Sequence, residues 1–312
     1  MRDVQRVFKR RSRCNYTVFG KRAHNVPRLD KATLGNKMSN AINTVRNGSY
    51  VRSIMSRIAI VTGASSGLGR EFVKRIDAGE AGHLDEIWVV ARRQERLEAL
   101  RRTCTTPVRP FCLDLTDPSS FEVIEGALRE TPAAEVALLI NNAGYGVFGP
   151  VAAHEREAGG DMARLLMVAP IELIYLTLPY LRRGSRIINV SSVAAFLPQP
   201  NLAVYAAAKR FILDVSRSLN AELGGADIHV MALCPKFMQT EFLDNPGDER
   251  AAKAMCAIGF EHADRVARTA LRDSRHGKDL CIPSIDMKAY YAASRVLPYK
   301  VALAAERALG IV

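Results

Sequence analysis

Short apolar runs alternate with longer amphipathic segments from residue 57 to residue 283. A short apolar run bounded by polar residues is typical of a strand buried on both faces of a sheet. Such runs predict strands at Arg57–Thr62, Glu86–Ala91, Val108–Leu113, Val136–Ile140, Arg186–Val190, Ile228–Leu233 and Leu280–Pro283.

The segments between most of these strands repeat apolar residues at helical spacing. They predict helices at Arg70–Asp77, Arg96–Thr103, Ser119–Glu130, Asp161–Leu181, Ala203–Leu223 and His262–Arg272. Strands joined by helical crossovers run in the same direction. The pattern therefore predicts an α/β fold, a doubly wound parallel β-sheet of about seven strands with helices on both faces.

Residues 1–54 differ from the rest of the chain in charge. They contain 13 Lys and Arg against two Asp, whereas the remainder contains 31 Lys and Arg against 30 Asp and Glu. Three interpretations compete: a basic arm for nucleic acid or anionic lipid, an organelle transit peptide, or residues outside the working protein. We prefer the third, because Met55 leads directly into the first strand, and we expect this basic extension to be disordered.

Residues 55–312 are predicted to form a single domain. Because this part is nearly neutral, its bulk charge gives no reason to expect nucleic acid as a partner. Residues 289–312 form an amphipathic tail that Pro298 interrupts. We expect the tail to dock on the domain, while covering a pocket, pairing with a second subunit or touching a membrane are the alternatives.

The six cysteines include no C-x-x-C pair, and several lie in apolar runs. This usage predicts reduced, buried thiols in a cytoplasmic protein. The six histidines lack ligand spacing, so no metal site is predicted. The richest apolar stretch, Met162–Leu181, contains Arg164 and Glu172, so no transmembrane segment is predicted.

A glycine-rich turn, TGASSGLG at Thr62–Gly69, follows the first predicted strand. Glycines between a strand and a helix permit a tight turn and let backbone N–H groups approach a pyrophosphate at the helix N-terminus. Alone, the turn also fits an ordinary strand-to-helix connection. Its position after the first strand favours a dinucleotide site.

Arg92 and Arg93 follow the second predicted strand, and no Asp or Glu lies between Ile87 and Gln94. In dinucleotide folds an acidic residue here binds the ribose 2′-hydroxyl of NAD, whereas Arg accepts the 2′-phosphate of NADP. The sequence therefore predicts NADP(H) in preference to NAD(H), unless the arginines merely begin a solvated helix. Asp114, after the third strand, could contact the adenine edge.

Ser192 follows the fifth predicted strand, and Tyr205 and Lys209 lie one turn apart on one helix face. Carbonyl reduction needs a proton for the developing alkoxide, and a phenol can supply it if its pKa falls from about 10. A lysine ammonium roughly 5 Å away favours the phenolate by about 3 kcal/mol. Purely structural roles are the alternatives. The Tyr205 ring would then pack under the aliphatic part of Lys209, and the Ser192 hydroxyl would cap a loop.

Together these motifs resemble those of the short-chain dehydrogenase/reductase family, over roughly Met55–Pro283. The resemblance is carried by TGASSGLG, Asn141–Gly144 (NNAG), Ser192, Tyr205–Lys209 (YAAAK) and the pair Pro235 and Thr240. It implies a Rossmann-like fold and an NAD(P)-dependent enzyme acting on CH–OH or C=O groups. Ligands in such sheets bind at the carboxyl ends of the strands, and these ends hold Gly63–Gly69, Arg92, Asp114, Asn142–Gly144, Ser192 and Pro235.

The resemblance implies a role for each matching residue. Ser192 would orient the substrate oxygen, Tyr205 would be the acid and base, and Lys209 would hold the nicotinamide ribose and lower the pKa of Tyr205. Asn142 would brace the central strand. The expected cofactor contacts are Gly63, Ser65, Ser66, Gly67, Leu68, Gly69, Arg92, Arg93, Asp114, Leu115, Asn142, Ala143, Gly144, Tyr205, Lys209, Pro235 and Thr240.

Two positions depart from the family pattern. Many members have a catalytic Asn in the helix after the fourth strand, whose place here falls near Leu166, and Lys236 replaces the Gly that usually follows the Pro. The first change affects the expected proton relay. The second puts a side chain where it could crowd the nicotinamide or add a positive contact.

The expected function is reversible hydride transfer between NADP(H) and a fairly apolar carbonyl or alcohol. The segment Phe237–Phe260 either covers the substrate or only packs on the sheet. The two departures motivate an alternative, a nucleotide-binding scaffold or regulator with little turnover. The family commonly pairs through helices placed like Asp161–Leu181 and Ala203–Leu223, so a homo-oligomer is expected.

Overall fold

The computed structural model describes residues 56–238, 241 and 258–308. The extension over residues 1–54, Thr240 and most of Phe237–Phe260 lie outside these residues, so the expectations for them stay predictions. One sheet contains β1 Arg57–Thr62, β2 Glu86–Ala91, β3 Val108–Cys112, β4 Glu135–Asn141, β5 Arg186–Val190, β6 His229–Leu233 and β7 Leu280–Cys281.

Helices connect these strands and complete the described chain. They are α1 Gly67–Asp77, α2 Gln94–Thr103, α3 Ser119–Glu130, α4 Arg156–Ala163, α5 Ala169–Thr177, α6 Ala203–Leu223, α7 Ala263–Arg275, α8 Ile285–Val296 and α9 Tyr299–Ala308.

The strand order is β3-β2-β1-β4-β5-β6-β7, and every neighbouring pair is parallel. This arrangement confirms the predicted doubly wound, Rossmann-like sheet. The order reverses between β1 and β4, because β2 lies on one side of β1 and β5 lies on the far side of β4. At such a point the connecting helices on the two sides lie on opposite faces of the sheet. A crevice therefore forms between them at the carboxyl ends of the strands.

Both faces of the sheet are covered by apolar side chains. Phe72 of α1 and Leu271 of α7 are buried in one core, and Ile124 of α3 and Leu173 of α5 are buried in the other. Every residue of β4 is buried. Burial on both faces explains why the central strands are continuous apolar runs instead of alternating ones.

The helix predicted at Asp161–Leu181 is interrupted in the structure. A π-helical segment, Arg164–Val168, separates α4 from α5. Pro170, near the start of α5, has no N–H to donate to the carbonyl four residues earlier, and its ring crowds that carbonyl. We attribute the wider turn before it to this proline.

By length and composition, Arg156–Tyr180 is also the stretch of the described residues that would suit a membrane span. Leu166, Leu173 and Ile174 on this stretch are nevertheless buried inside the domain. One side of this stretch therefore packs into the core of the domain, while Tyr175 is exposed.

The C-terminal tail divides at Pro298. On α8, the rings of Tyr290 and Tyr291 pack against Phe196, with centroid distances of 5.9 and 4.8 Å. On α9, Tyr299 and Val301 are exposed. The first half therefore packs on the domain, while the described side chains at the start of α9 remain at the surface.

The ends of β1 and β4 are joined by polar contacts. Thr62 Oγ1 accepts hydrogen bonds from the backbone N–H groups of Asn142 (2.9 Å) and Ala143 (3.0 Å), and Asn142 Nδ2 donates to the Thr62 carbonyl (2.9 Å). Gly69 lies against this junction, because a Cβ there would fall 2.6 Å from Asn142 Nδ2 and clash with the Gly63 carbonyl.

We expect Gly69→Ala to lower the free energy of unfolding by about 2 kcal/mol or more, because the clash involves backbone that cannot move away. Gly126→Ala is the matched control, since Gly126 lies in α3 with no atom within 4 Å of its Cβ position. That variant should gain about 1 kcal/mol from helix propensity. Urea unfolding of both variants measures the difference, and equal effects would contradict the proposed clash.

Candidate active site

A cavity of about 1070 Å³ lies at the carboxyl ends of the strands. It brings together the predicted site residues except Gly69, which is buried within α1, and Thr240, which lies outside the described residues. The predicted residues that line it are Gly63, Ser65, Ser66, Gly67, Leu68, Arg92, Arg93, Asp114, Leu115, Asn142, Ala143, Gly144, Ser192, Tyr205, Lys209 and Pro235.

The glycine-rich turn has the backbone geometry that an anion site needs. Gly63 and Gly67 have φ angles of 66° and 49°, which disfavour other residues, and a Cβ on Gly63 would lie 2.7 Å from Asn142 Nδ2. Among the described contacts, Ser66 Oγ accepts from Arg93 and does not cap α1. The first N–H groups of α1 can therefore bind a pyrophosphate.

The two arginines after β2 have different surroundings. Arg93 Nη2 donates to Ser66 Oγ (2.8 Å) and Ser65 Oγ (3.2 Å). Arg92 is 73% exposed, and its Nη1 lies 3.9 Å from Asp114 Oδ2. Arg93 together with the two serines therefore forms the cluster of donors that fits a phosphate.

Asp114 is held by hydrogen bonds. Its Oδ1 accepts from the Thr116 backbone N–H (2.9 Å) and hydroxyl (2.8 Å). Burial alone would raise the pKa of Asp114, but these hydrogen bonds and the charge of Arg92 hold it below its ordinary value. The carboxylate is thus ionised at neutral pH and can accept further hydrogen bonds in the cavity.

Lys209 is fixed by the end of β5. Its Nζ donates to the Val190 carbonyl (2.7 Å), and its backbone carbonyl accepts from Ser191 Oγ (2.7 Å). The same Nζ lies 5.6 Å from the centre of the Tyr205 ring. The strand end and the first turns of α6 therefore hold the amine beside the phenol.

The Ser192 side chain contacts both the phenol and its own loop. Its side chain is hydrogen-bonded to Tyr205, and its Oγ accepts from the Ala194 backbone N–H (3.2 Å). Ser192 therefore caps its loop and contacts the phenol of Tyr205 at the same time. The predicted trio meets on the wall of the cavity.

In this structure the net shift of the Tyr205 pKa is upward, opposite to the expected lowering. Burial raises the pKa of Tyr205 to about 12, although the hydrogen bond with Ser192 acts in the opposite direction. Burial also lowers the pKa of Lys209 to about 8. Both shifts have one cause, since a poorly solvated pocket disfavours the charged form of each group.

Leu166 contributes to this poor solvation. It is buried in the π-helical segment and packs with Ala208 and Tyr205. A Cβ on Gly144 would lie 2.6 Å from Leu166 Cδ2 and 3.8 Å from Lys209 Nζ, so the methyl and the amine lie near the same backbone atom. An apolar group therefore borders Lys209 at the place where many family members have Asn.

Lys236 is turned toward the C-terminal helix. Its Nζ donates to Asp286 Oδ2 (2.8 Å) at the start of α8 and to the Ile258 carbonyl (3.1 Å). The ammonium is therefore hydrogen-bonded to these two acceptors, and the Asp286 carboxylate balances its charge.

Some cavity residues were missed by the sequence prediction. Met287 and Tyr290 reach the cavity from α8 and Leu297 from the residue after it, and Glu241 reaches it from the segment after β6. The amphipathic pattern of the tail indicated an apolar face but not what it covers. Within the described residues, no three His, Cys, Asp or Glu side chains are grouped as a metal site requires.

A doubly wound sheet with a glycine-rich turn and a Ser–Tyr–Lys trio at its strand ends defines a class, the oxidoreductases that use a nicotinamide dinucleotide. Comparison with known proteins agrees with this class. The sequence profile of the short chain dehydrogenase family matches residues 57–251.

A curated relative is the sulfoacetaldehyde reductase of Chromohalobacter salexigens, 32% identical over 211 residues, which represent 64% of this chain and 81% of that protein. A short-chain dehydrogenase from Sphingobium yanoikuyae in complex with NADPH has a TM-score of 0.66 at 27% identity, covering 80% of this chain and 96% of that one. The bulky-bulky ketone specific alcohol dehydrogenase from Comamonas testosteroni has a TM-score of 0.60 at 26% identity, with 77% and 92% covered.

The chain therefore belongs to the short-chain dehydrogenase/reductase family, and it is an oxidoreductase of the type that acts on alcohol or carbonyl groups with a nicotinamide cofactor. The family expected from the motifs is confirmed.

The buried amine makes a prediction about pH. Because the pKa of Lys209 is about 8 when folded and 10.5 at its ordinary value, the unfolded chain binds more protons between these values. The contribution of Lys209 to stability therefore rises with pH in this window. We expect the unfolding free energy of the wild type minus that of Lys209→Met to rise by about 1 kcal/mol per pH unit there.

Equilibrium urea unfolding at a series of pH values measures this difference. Lys288→Met removes an exposed lysine on α8 and controls for the loss of a surface charge. A wild-type-minus-variant difference that stays constant from pH 8 to 10.5 would show that the amine is not desolvated.

Proposed function

We propose that the protein catalyses reversible hydride transfer between NADP(H) and a carbonyl or alcohol substrate, with Tyr205 as the acid and base. The observation that carries this proposal is the meeting of Ser192, Tyr205 and Lys209 on the wall of a cavity that also contains Arg93 and the glycine-rich turn. One continuous cavity can thus bind both ends of a dinucleotide and a substrate.

Each member of the trio has a distinct task in this proposal. The nicotinamide, when bound, supplies or accepts the hydride at the carbonyl carbon. Ser192 donates a hydrogen bond to the substrate oxygen and fixes its position. Tyr205 gives its phenolic proton to that oxygen in reduction and takes it back in oxidation. The Lys209 ammonium, held by the Val190 carbonyl, stabilises the phenolate that reduction leaves.

The preference for the phosphorylated cofactor is supported by the donors around Arg93. A 2′-phosphate can accept hydrogen bonds from the guanidinium and from the hydroxyls of Ser65 and Ser66. The Sphingobium yanoikuyae neighbour was solved with NADPH. Asp114, ionised and at the same end of the cavity, is assigned to the adenine edge.

The substrate is proposed to be a fairly apolar ketone, aldehyde or alcohol. Apolar and aromatic side chains from separate parts of the chain line the cavity beyond the trio, which favours burial of carbon surface. They are Phe148, Leu197, Leu202, Phe237, Met287, Tyr290 and Leu297. The Comamonas testosteroni neighbour is described as specific for bulky-bulky ketones, and this supports a ketone as one class of substrate.

We further propose a homo-oligomer in the cytoplasm. Tyr175 on α5 and Phe211 on α6 are exposed apolar rings on the helices through which relatives pair. Among the described cysteines, Cys104, Cys112, Cys234 and Cys281 are free thiols, which suits a reducing compartment.

Tyr205→Phe is expected to reduce turnover by a factor of about 100 to 10 000, because the phenolic proton is lost while the ring remains. NADPH binding should change little. The assay follows NADPH consumption with a panel of apolar ketones and aldehydes, and Tyr175→Phe, at an exposed ring, is the control.

Full turnover in Tyr205→Phe would remove the phenol from the mechanism. A wild-type protein that binds NADPH tightly yet reduces no member of the panel would instead favour the nucleotide-binding scaffold.

Arg93→Ala is expected to weaken NADPH binding about 10- to 100-fold, because a charged hydrogen-bond donor to the 2′-phosphate is removed. NADH binding should stay within about twofold. Arg92→Ala is the matched control and should have the smaller effect, since Arg92 is exposed and faces Asp114. Titration calorimetry measures all four affinities, and an equal loss for both cofactors in Arg93→Ala would contradict a phosphate contact.

A further inference from the structure

Glu241 bridges two arginines at the phosphate end of the cavity. Its Oε2 accepts from Arg93 Nη1 (2.5 Å), and its Oε1 accepts from Arg96 Nη1. Each carboxylate oxygen thus binds a different guanidinium. Arg93 is the same residue that donates to Ser65 and Ser66, and Glu241 lines the same cavity as these serines.

We infer that Glu241 is an internal competitor of the cofactor's 2′-phosphate, because its carboxylate takes guanidinium donors that the phosphate would take. This inference rests on the proposed function, since both use the phosphate site around Arg93. It assigns to Glu241 a part in cofactor specificity that the family motifs do not contain.

The charges of the carboxylate and the phosphate make the two groups compete for the arginines. A phosphate monoester carries a charge of about −1.5 to −2 at pH 7, so a carboxylate held by the same guanidinium would repel it. Hydrogen bonds from Arg93 and then from Arg96 hold the pKa of Glu241 below its ordinary value, so this side chain is ionised at neutral pH. A phosphate therefore has to displace the carboxylate or share the arginines with it at a cost.

The exposure of the bridge makes displacement feasible. Glu241 is 41% exposed and both arginines are 44% exposed, so water competes for every donor and acceptor. Exposed ion pairs of this kind contribute little to stability. A phosphate has more charge and more acceptor oxygens than a carboxylate, so it can replace Glu241.

The competition affects the two cofactors differently. The phosphate of NADPH meets Glu241, whereas the 2′-hydroxyl of NADH neither needs the guanidinium nor is repelled by the carboxylate. Glu241 therefore lowers the affinity for NADPH but not for NADH. It thus reduces the preference for NADPH over NADH that Arg93 creates.

The test uses the full chain with Glu241→Gln, which keeps the length and removes the charge, and Glu241→Ala, which also removes the remaining acceptor. Glu222→Gln, at an exposed position on α6, is the control for the change in net charge. Titration calorimetry measures NADPH, NADH, adenosine 2′,5′-bisphosphate and adenosine 5′-monophosphate. We expect both Glu241 variants to bind NADPH and the bisphosphate about three- to tenfold more tightly, with NADH and the monophosphate unchanged.

Weaker or unchanged NADPH binding in both Glu241 variants would overturn the inference, since the carboxylate would then position Arg93 or have no effect. Equal tightening for NADH would also overturn it, because the bridge would then obstruct the whole dinucleotide. The proposed function fails differently: the wild type would bind NADPH no more tightly than NADH, and Arg93→Ala would change neither affinity.

Discussion

The junction between β1 and β4 is the constraint on which the site depends. The Thr62 hydroxyl binds two backbone N–H groups after β4, and the Asn142 amide binds the end of β1, so the two strands at which the sheet order reverses cannot separate. Gly69 brings α1 against the same junction. The position of the glycine-rich turn relative to the wall of the cavity is consequently fixed. A shift at this junction would change the positions of the proposed phosphate donors and the proposed catalytic groups together.

The end of the cavity that we propose as catalytic depends on a second constraint, the burial of an amine. The Val190 carbonyl and the Ser191 hydroxyl both bind Lys209, so β5 determines where the ammonium lies. Burial keeps the pKa of Lys209 near 8, and it keeps the proton on Tyr205. A phenol that retains its proton is ready to donate in reduction. An ammonium whose charge is weakly solvated interacts strongly with a phenolate when one forms.

Much of the fold followed from the sequence because the central strands are buried on both faces, which produces uninterrupted apolar runs such as that of β4. The π-helical segment was not predicted, since Arg164–Val168 continues the apolar pattern and only Pro170 hints at the break. Motif spacing likewise predicted which residues share the cavity. It did not predict the direction of the Tyr205 pKa shift, because a sequence gives the distance between charges but not their solvation. Glu241 was missed because its partners are distant in the chain.

The charged groups of the cavity are therefore exposed at one end and buried at the other. At the phosphate end, Arg93 and Glu241 are exposed, so ionic contacts there are weak one by one and can be exchanged for those of a ligand. At the proposed catalytic end, Lys209 is buried, so its charge is costly, and the Val190 carbonyl accepts a hydrogen bond from the amine. Recognition of a cofactor that binds and leaves requires the first arrangement. Control of a proton at one oxygen requires the second.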